Sequence, residues 1–130
     1  MIRAAAAAGL LGLGVAALPS AAAPAGDPVK GKAVFARCAA CHKIAPAAPG
    51  GIGPNLAGVH GRTAGRQPGF AYSPAMKGSR LRWDDATLSR FLAAPNKVVP
   101  GTRMMAPPVA NPQHRANLIA YLKTTGGKIQ

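Results

Sequence analysis

Two cysteines and a histidine near residue 40 are the residues of this sequence best suited to chemistry. Cys38, Cys41 and His42 form the pattern C-A-A-C-H, and the chain contains 2 cysteines in all. Such a pattern serves a redox-active disulfide, half of a zinc site, or the covalent attachment of a c-type haem. The compartment in which the chain folds decides which thiol chemistry is open to it.

Residues 1–25 have the layout of a secretory signal peptide. A positive start with Arg3 precedes the apolar run AAAAAGLLGLGVAAL, and the small-residue pattern A-P-A ends at Ala25. The apolar run is short for a membrane span, although an uncleaved membrane anchor is the alternative interpretation. Cleavage is predicted after Ala25, with Ala22 as the second candidate, and leaves residues 26–130 as one domain in the periplasm.

The chain is strongly basic and poor in aromatic residues. It has 16 Lys+Arg against 3 Asp+Glu, a net charge of +13 that loses one unit with the signal peptide. This charge indicates an acidic partner. No nucleic acid is expected, because a secreted protein seldom meets it and an aromatic content of 5% leaves few surfaces for base stacking. So few aromatic side chains also make a thin core, which a metal, a disulfide or a cofactor must complete.

Three segments carry helix signals. They begin at Asp27, Asp84 and Asn111, all good N-cap residues, and proline follows directly at the first and third. The first is predicted to run through VKGKAVFARCAACH, and Pro95 is predicted to end the second. The long Gly- and Pro-rich segment between the first two shows no strand pattern and must wrap around something. The sequence therefore predicts an all-α domain with about three main helices and long ordered loops.

Haem attachment suits the C-A-A-C-H motif better than its two alternatives. A redox C-x-x-C pair sits within a βαβ pattern, which is missing from this sequence. Zinc requires four ligands, but His60 and His114 are isolated and there is no second cysteine pair. In a c-type site, Cys38 and Cys41 add to the porphyrin vinyl groups and His42 can ligate the iron. The apolar face of the haem would also complete the thin core.

The sixth iron ligand distinguishes an electron carrier from a haem enzyme or a gas-binding protein. A thioether raises the reduction potential and closes the iron to other ligands. The candidates are Met76, Met104 and Met105. The last two lie in the Pro- and Gly-rich segment VVPGTRMMAPP, where a methionine that only fills the core is less expected than in a helix.

Four stretches carry a resemblance to a known family: GDPVKGKAVFARCAACH, GPNLAGVHGRTAGRQPGFAYSPAMK, WDDATLSRFLAAPNKVVPGTRM and ANLIAYLK. Together they resemble class I cytochrome c, the bacterial periplasmic and mitochondrial type, over nearly the whole length after the signal peptide. The resemblance implies that fold, wrapped around one haem c attached through Cys38 and Cys41. It also implies His42 and Met104 as the iron ligands, Met104 because it directly follows P-G-T-R; Met105 is the minor alternative.

The resemblance assigns further positions around the haem. Pro54 matches the proline whose carbonyl accepts a hydrogen bond from the ligand histidine. Tyr72 and Trp83 match residues that donate hydrogen bonds to a haem propionate, and Arg62 matches the basic residue that offsets its charge. The chain departs from the family pattern at three positions near the haem: Met76, Phe91 and Ala106.

The resemblance also implies that the first helix packs on the last. Gly31 and Phe35 match positions that contact the matches to Leu118 and Tyr121. A glycine there allows the two helices to approach closely, which explains its presence inside a helix despite its cost in stability.

The implied function is that of a soluble periplasmic electron carrier, which is not an enzyme. Arg37, Lys97 and Arg103 match the family's basic ring around the exposed haem edge. We expect this ring to steer a monomer, without stable membrane insertion, to acidic docking faces of a terminal oxidase, a cytochrome bc1-type reductase or a periplasmic dehydrogenase. The alternatives are a haem enzyme or gas-binding cytochrome with an open distal site, or a dedicated electron-transfer subunit of a dehydrogenase complex.

Overall fold

A computed structural model describes residue 12, residues 14–20 and residues 22–126. Within this part of the chain there are five helices: α1 (Pro28–Phe35), α2 (Pro74–Gly78), α3 (Asp85–Ala93), α4 (Pro95–Val98) and α5 (Pro112–Lys123). The only pairing of strand type there is one isolated bridge between Thr63 and Arg82. The predicted all-α class is therefore confirmed, with α1, α3 and α5 as the three main helices.

The helix starts follow local capping signals. Asp27 accepts hydrogen bonds from the N–H groups of Val29 and Lys30, and Asp84 accepts one from Thr87. Asn111 caps α5 in the same way, so all three predicted starts are confirmed. These bonds satisfy N–H groups that have no partner within the helix.

Two short helices were not predicted, although each has its own signal. Ser73 caps α2 with its hydroxyl oxygen, and a proline follows directly. Pro95 is the first residue of α4, because a ring that cannot continue a helix is well suited to begin one. α3 does end before Pro95, as predicted.

The first helix is shorter than the sequence indicated. The prediction carried it to His42, but regular helix ends at Phe35 and residues 36–41 form tight turns. The N–H of Cys38 donates to Phe35 O at 2.7 Å, and the N–H of His42 donates to Cys38 O at 3.0 Å. The two thiols and the imidazole therefore project from a compact turn rather than from one helix face.

α1 crosses α5 at very close range. A Cβ at Gly31 would overlap the carbonyl oxygen of Asn117 and lie 2.8 Å from the Tyr121 Cβ. The rings of Phe35 and Tyr121 pack tilted at 5.5 Å. The N–H of Asp27 donates to Asn117 Oδ1 at 2.9 Å and fixes the same crossing at the start of α1. The predicted contact between the first and last helices is thus confirmed.

α3 completes the core on the other side of α5. Leu88, Phe91 and Leu92 are buried with Leu118 in a single cluster, and Trp83 packs on Phe91 at 5.0 Å. Asp85 at the first turn of α3 pairs with two side chains, the His60 ring at 2.6 Å and the Lys123 ammonium at 2.7 Å. Because these pairs are exposed, they contribute little stability.

Of the predicted signal peptide, residues 1–11, 13 and 21 lie outside the described residues. The parts that are described, residues 12, 14–20 and 22–25, are exposed and have no regular secondary structure. The carbonyl oxygen of Ala25 accepts a hydrogen bond from Gln113 Nε2 at 2.7 Å, so the chain already contacts α5 at this point. In the described part of the chain, none of the helices has the length and apolar character of a membrane span.

Candidate functional site

The two cysteines lie half-buried in the turn after α1 and are not joined to each other. Burial raises the pKa of the Cys38 thiol, an effect that the Arg37 charge opposes and Cys41 reinforces. A redox-active C-x-x-C pair has a lowered thiol pKa, so this environment argues against that use. Two unbridged cysteines in one turn, directly followed by a histidine, match the attachment chemistry of a c-type haem.

The His42 ring is hydrogen-bonded through Nδ1, which leaves Nε2 available as a ligand. Its Nδ1 lies 2.8 Å from the carbonyl oxygen of Pro54, and since a carbonyl only accepts, Nδ1 carries the proton and donates. Burial lowers the pKa of His42, an effect that this hydrogen bond opposes. The lone pair of Nε2 therefore faces away from Pro54 on a neutral ring, which is the form that ligates a metal.

Gly53 packs directly against the His42 ring. A Cβ at position 53 would lie 2.5 to 2.9 Å from three atoms of the His42 imidazole, closer than a carbon atom can approach. The N–H of Gly53 donates to Cys41 O at 2.9 Å, so the backbone has little room to retreat. A glycine at this position lets the ring lie flat on the main chain.

Replacing Gly53 with alanine is expected to displace the His42 ring and to lower stability by about 1–3 kcal/mol, as overpacking typically does. The readouts are thermal unfolding of the haem-loaded protein and the paramagnetically shifted proton signals of the His42 ring. Gly51 is the matched control, because a Cβ there meets only Cys41 O at an ordinary 3.6 Å. Equal effects of Gly53→Ala and Gly51→Ala would contradict the close packing of Gly53 against the His42 ring.

The loop that carries Pro54 is fixed by two polar side chains. Asn55 is buried and donates from Nδ2 to the carbonyl oxygens of Ala45 and Ala48, at 2.8 Å each. Arg62 donates to the carbonyl oxygens of Asn55 and Ala57, at 3.1 Å each. The sequence prediction assigned Arg62 only to a haem propionate and missed Asn55. These contacts hold the Pro54 carbonyl in position for His42.

Tyr72 precedes α2 in the sequence and Trp83 follows it. Both side chains pack in the same hydrophobic core. Trp83 is buried and Tyr72 half-buried, packed edge-on against Phe70 at 4.9 Å. Burial raises the pKa of Tyr72, an effect that a hydrogen bond to the Gln67 backbone and the nearby charge of Arg62 oppose. The phenol therefore stays protonated at neutral pH and can donate a hydrogen bond.

The loop before Met104 is held by its own hydrogen bonds. Thr102 is buried, its N–H donates to Val99 O at 3.0 Å, and its hydroxyl accepts the N–H of Met104 at 3.3 Å. The Arg103 guanidinium donates to Ala71 O at 3.5 Å, which connects this loop to the segment before α2. The sequence analysis did not assign a role to Thr102. Threonine hydroxyls commonly accept a hydrogen bond from the backbone N–H two residues further along the chain.

The two adjacent methionines have different environments. Met104 is half-buried and packs against the core cluster, whereas Met105 is 84% exposed. Cys38 and Tyr72 pack against that cluster too, and Trp83 belongs to it. The structure thus brings the attachment turn, Tyr72, Trp83 and Met104 around one core. The proposed docking residues remain exposed: Arg37, Lys97 and Arg103.

Comparisons with known proteins agree with this arrangement. The cytochrome c family model matches residues 28–126. The chain is 52% identical to the cytochrome c2 of Rhodomicrobium vannielii over 104 residues, which cover 80% of this chain and 83% of that protein. It is also 52% identical to the cytochrome c2 of Rhodoblastus acidophilus over 107 residues, which cover 80% of this chain and 100% of that protein.

A solved structure has the same fold. Cytochrome cH from Methylobacterium extorquens superposes with a TM-score of 0.73 at 46% identity, covering 76% of this chain and 99% of that one. The all-α fold and the C-A-A-C-H turn define a class I c-type cytochrome. The chain belongs to the cytochrome c family. It carries electrons on a covalent haem c, with Cys38 and Cys41 as the attachment residues, and it is not an enzyme.

Proposed function

We propose that the protein is a periplasmic electron carrier whose haem iron is ligated by His42 and Met104. The observation that carries the proposal is the contrast between Met104, half-buried against the core, and Met105, 84% exposed beside it. When bound, the haem supplies the one-electron ferrous–ferric couple. A thioether from Met104 would raise the reduction potential and would close the iron to other ligands, which suits an electron carrier.

We propose that His42 would hold the iron through Nε2. The hydrogen bond from Nδ1 to Pro54 O, 2.8 Å long, fixes the ring orientation and makes Nε2 more basic. Gly53 supports the ring from below, and the polar contacts of Asn55 and Arg62 support Pro54. These contacts preorganise the His42 side of the proposed haem site.

Three residues are proposed to hold the haem propionates. Tyr72 and Trp83 would donate hydrogen bonds from the phenol and the indole, and the Arg62 guanidinium would offset the negative charge. Arg62 is half-buried, so its charge is screened less than that of a surface arginine. Its hydrogen bonds to Asn55 O and Ala57 O leave it tied to the same loop as Pro54.

The periplasmic location rests on the signal-peptide layout of residues 1–25 and on the two related bacterial cytochromes c2. Removal of that segment leaves residues 26–130 as the electron-carrying domain. We propose a monomer that diffuses between acidic docking faces of an oxidase, a reductase or a dehydrogenase. Its net charge of +13 in the full chain is the property that such faces recognise.

Optical spectroscopy of the purified protein tests the ligand pair. The oxidised form should be low-spin and show the weak iron–sulfur charge-transfer band of a methionine ligand. Carbon monoxide added to the reduced form at neutral pH should bind slowly and incompletely. Immediate and complete binding would instead identify an open distal site and contradict the carrier proposal.

Electron transfer to an acidic partner is expected to slow as salt is added, because screening weakens the attraction that steers the two proteins together. At low ionic strength, Lys97→Gln should lower the second-order rate constant by roughly two- to fivefold. Stopped-flow kinetics with an acidic redox protein measures both effects.

Lys77→Gln is the matched control for that experiment. It removes the same charge from an exposed position on α2, outside the proposed docking ring. A rate constant independent of salt, or equal losses for Lys97→Gln and Lys77→Gln, would contradict steering by the ring.

A further inference from the structure

The Arg62 guanidinium is hydrogen-bonded to three oxygens of the chain. Its Nη1 donates to Ala57 O at 3.1 Å and to the Gln67 amide oxygen Oε1 at 2.5 Å, and its Nη2 donates to Asn55 O at 3.1 Å. Because a guanidinium can only donate, the Gln67 atom that faces it must be the amide oxygen. Three of the five guanidinium N–H groups are engaged in this way, which leaves two for an acceptor on a ligand.

All three of these acceptors are neutral. Within the described part of the chain, Arg62 pairs with no carboxylate. Burial lowers the pKa of Arg62, an effect that Tyr72 opposes, but a guanidinium keeps its proton in a folded protein. The positive charge of Arg62 is therefore hydrogen-bonded without being neutralised.

The backbone on both sides of Gln67 is fixed. Ala64 is 1% exposed, and its N–H donates to Leu81 O at 2.8 Å. Gly65 has a φ of +70°, and a Cβ there would lie 2.9 Å from backbone atoms of α2, so this main chain lies directly against that helix. Pro68 restricts Gln67 itself to extended conformations. The amide oxygen of Gln67 is thus presented to Arg62 by a rigid segment.

Gln67 contacts a second residue of the proposed propionate site. Burial raises the pKa of Tyr72, and a hydrogen bond from the Gln67 backbone opposes that rise. Gln67 therefore reaches Arg62 through its side chain and Tyr72 through its main chain. The sequence analysis assigned it no role.

We propose that Gln67 is a positioning residue of the propionate site, whose neutral amide oxygen orients the Arg62 guanidinium and leaves its positive charge for a haem propionate. The inference rests on the propionate contacts proposed above. A carboxylate at position 67 would orient Arg62 but neutralise it, whereas an apolar side chain would leave the charge without the orientation. Because an offset propionate charge favours the ferrous state, Gln67 raises the reduced fraction at a given ambient potential.

Two substitutions of nearly equal size test the proposal by potentiometric titration at neutral pH. Gln67→Met should lower the ratio of reduced to oxidised protein at fixed ambient potential by roughly twofold, and Gln67→Glu by roughly five- to tenfold. At about 59 mV per tenfold for one electron, these losses correspond to shifts of about 20 mV and about 40–60 mV. A residue that served the fold alone would change stability and leave this ratio unaltered.

Guanidinium signals in ¹H–¹⁵N NMR of the haem-loaded protein report the orientation of Arg62 separately. The parent protein and Gln67→Glu should show resolved Arg62 Nη signals, because the hydrogen bond at position 67 slows rotation and solvent exchange. Gln67→Met should broaden these signals. Broadened signals in Gln67→Glu, or sharp ones in Gln67→Met, would contradict the positioning role.

Arg66→Gln is the matched control, because it removes a full charge from the exposed neighbouring residue. Solvent screening should keep its effect on the ratio below about 1.5-fold. Arg62→Gln tests the propionate contact itself: it should lower the ratio at least as far as Gln67→Glu, and Gln67→Met should then add nothing. A loss with Arg62→Gln but none with Gln67→Met would overturn the role of Gln67 alone, and no loss with either would overturn the propionate contact as well.

Discussion

Replacing Met104 with alanine is expected to open the sixth coordination position and to lower the reduction potential by on the order of 0.1 V or more. The thioether is the soft ligand that favours the ferrous state, and no other described methionine lies in its loop except Met105, which points to solvent at 84% exposure. The reduced variant should bind carbon monoxide immediately and completely. Potentiometric titration and the optical spectrum measure the two effects.

Met105→Ala is the matched control, because it removes the same side chain one residue further along. It should retain the charge-transfer band, the closed site and a potential within about 0.02 V of the parent, since an exposed methionine has little effect on the iron. A result in which Met105→Ala opens the site and Met104→Ala leaves it closed would assign the ligand to Met105. That result would also require the loop held by Thr102 to rearrange.

Replacing Gly31 with alanine is expected to lower stability by about 3 kcal/mol, at the upper end of overpacking effects. The new Cβ would overlap the Asn117 carbonyl oxygen and lie 2.6 Å from its carbonyl carbon. Because the clash is with backbone of α5, rotation of a side chain cannot relieve it, and the two helices must separate. Denaturant unfolding of the haem-loaded protein, followed by circular dichroism, gives the free energy.

The control for this experiment is Gly78→Ala at the end of α2, where a Cβ would meet no atom within 4 Å. That substitution should change stability by less than about 1 kcal/mol and in the stabilising direction, because alanine favours helix over glycine. If Gly31→Ala were as mild as Gly78→Ala, the close crossing of α1 and α5 would not exist in solution.

Local signals explain why the helix starts were predictable. An N-cap acts over two or three residues, as when Asp27 accepts the Val29 N–H, so its pattern can be read directly from the sequence. The same pattern at Ser73 and Pro74 begins α2, a helix of only 5 residues. The end of α1 was predicted wrongly because the turn through Cys38 continues the helical spacing without continuing the helix.

The same distinction between local signals and long-range contacts applies to the candidate site. C-A-A-C-H is a contiguous motif, so the sequence by itself indicated haem attachment, and the helix signals indicated the all-α fold. His42 and Met104 as ligands were implied by the family resemblance, and that assignment stays a prediction. The roles of Gly53 and Asn55 were not predictable, since they depend on where the loop after His42 folds back.

Only the tertiary structure decided the contacts between distant parts of the chain. The Asp27 N–H donates to Asn117 Oδ1 across 90 positions, and the close crossing of α1 and α5 at this point requires the glycine at position 31. The physical reason is that caps and attachment motifs involve neighbouring residues, whereas close packing depends on which surfaces meet after folding.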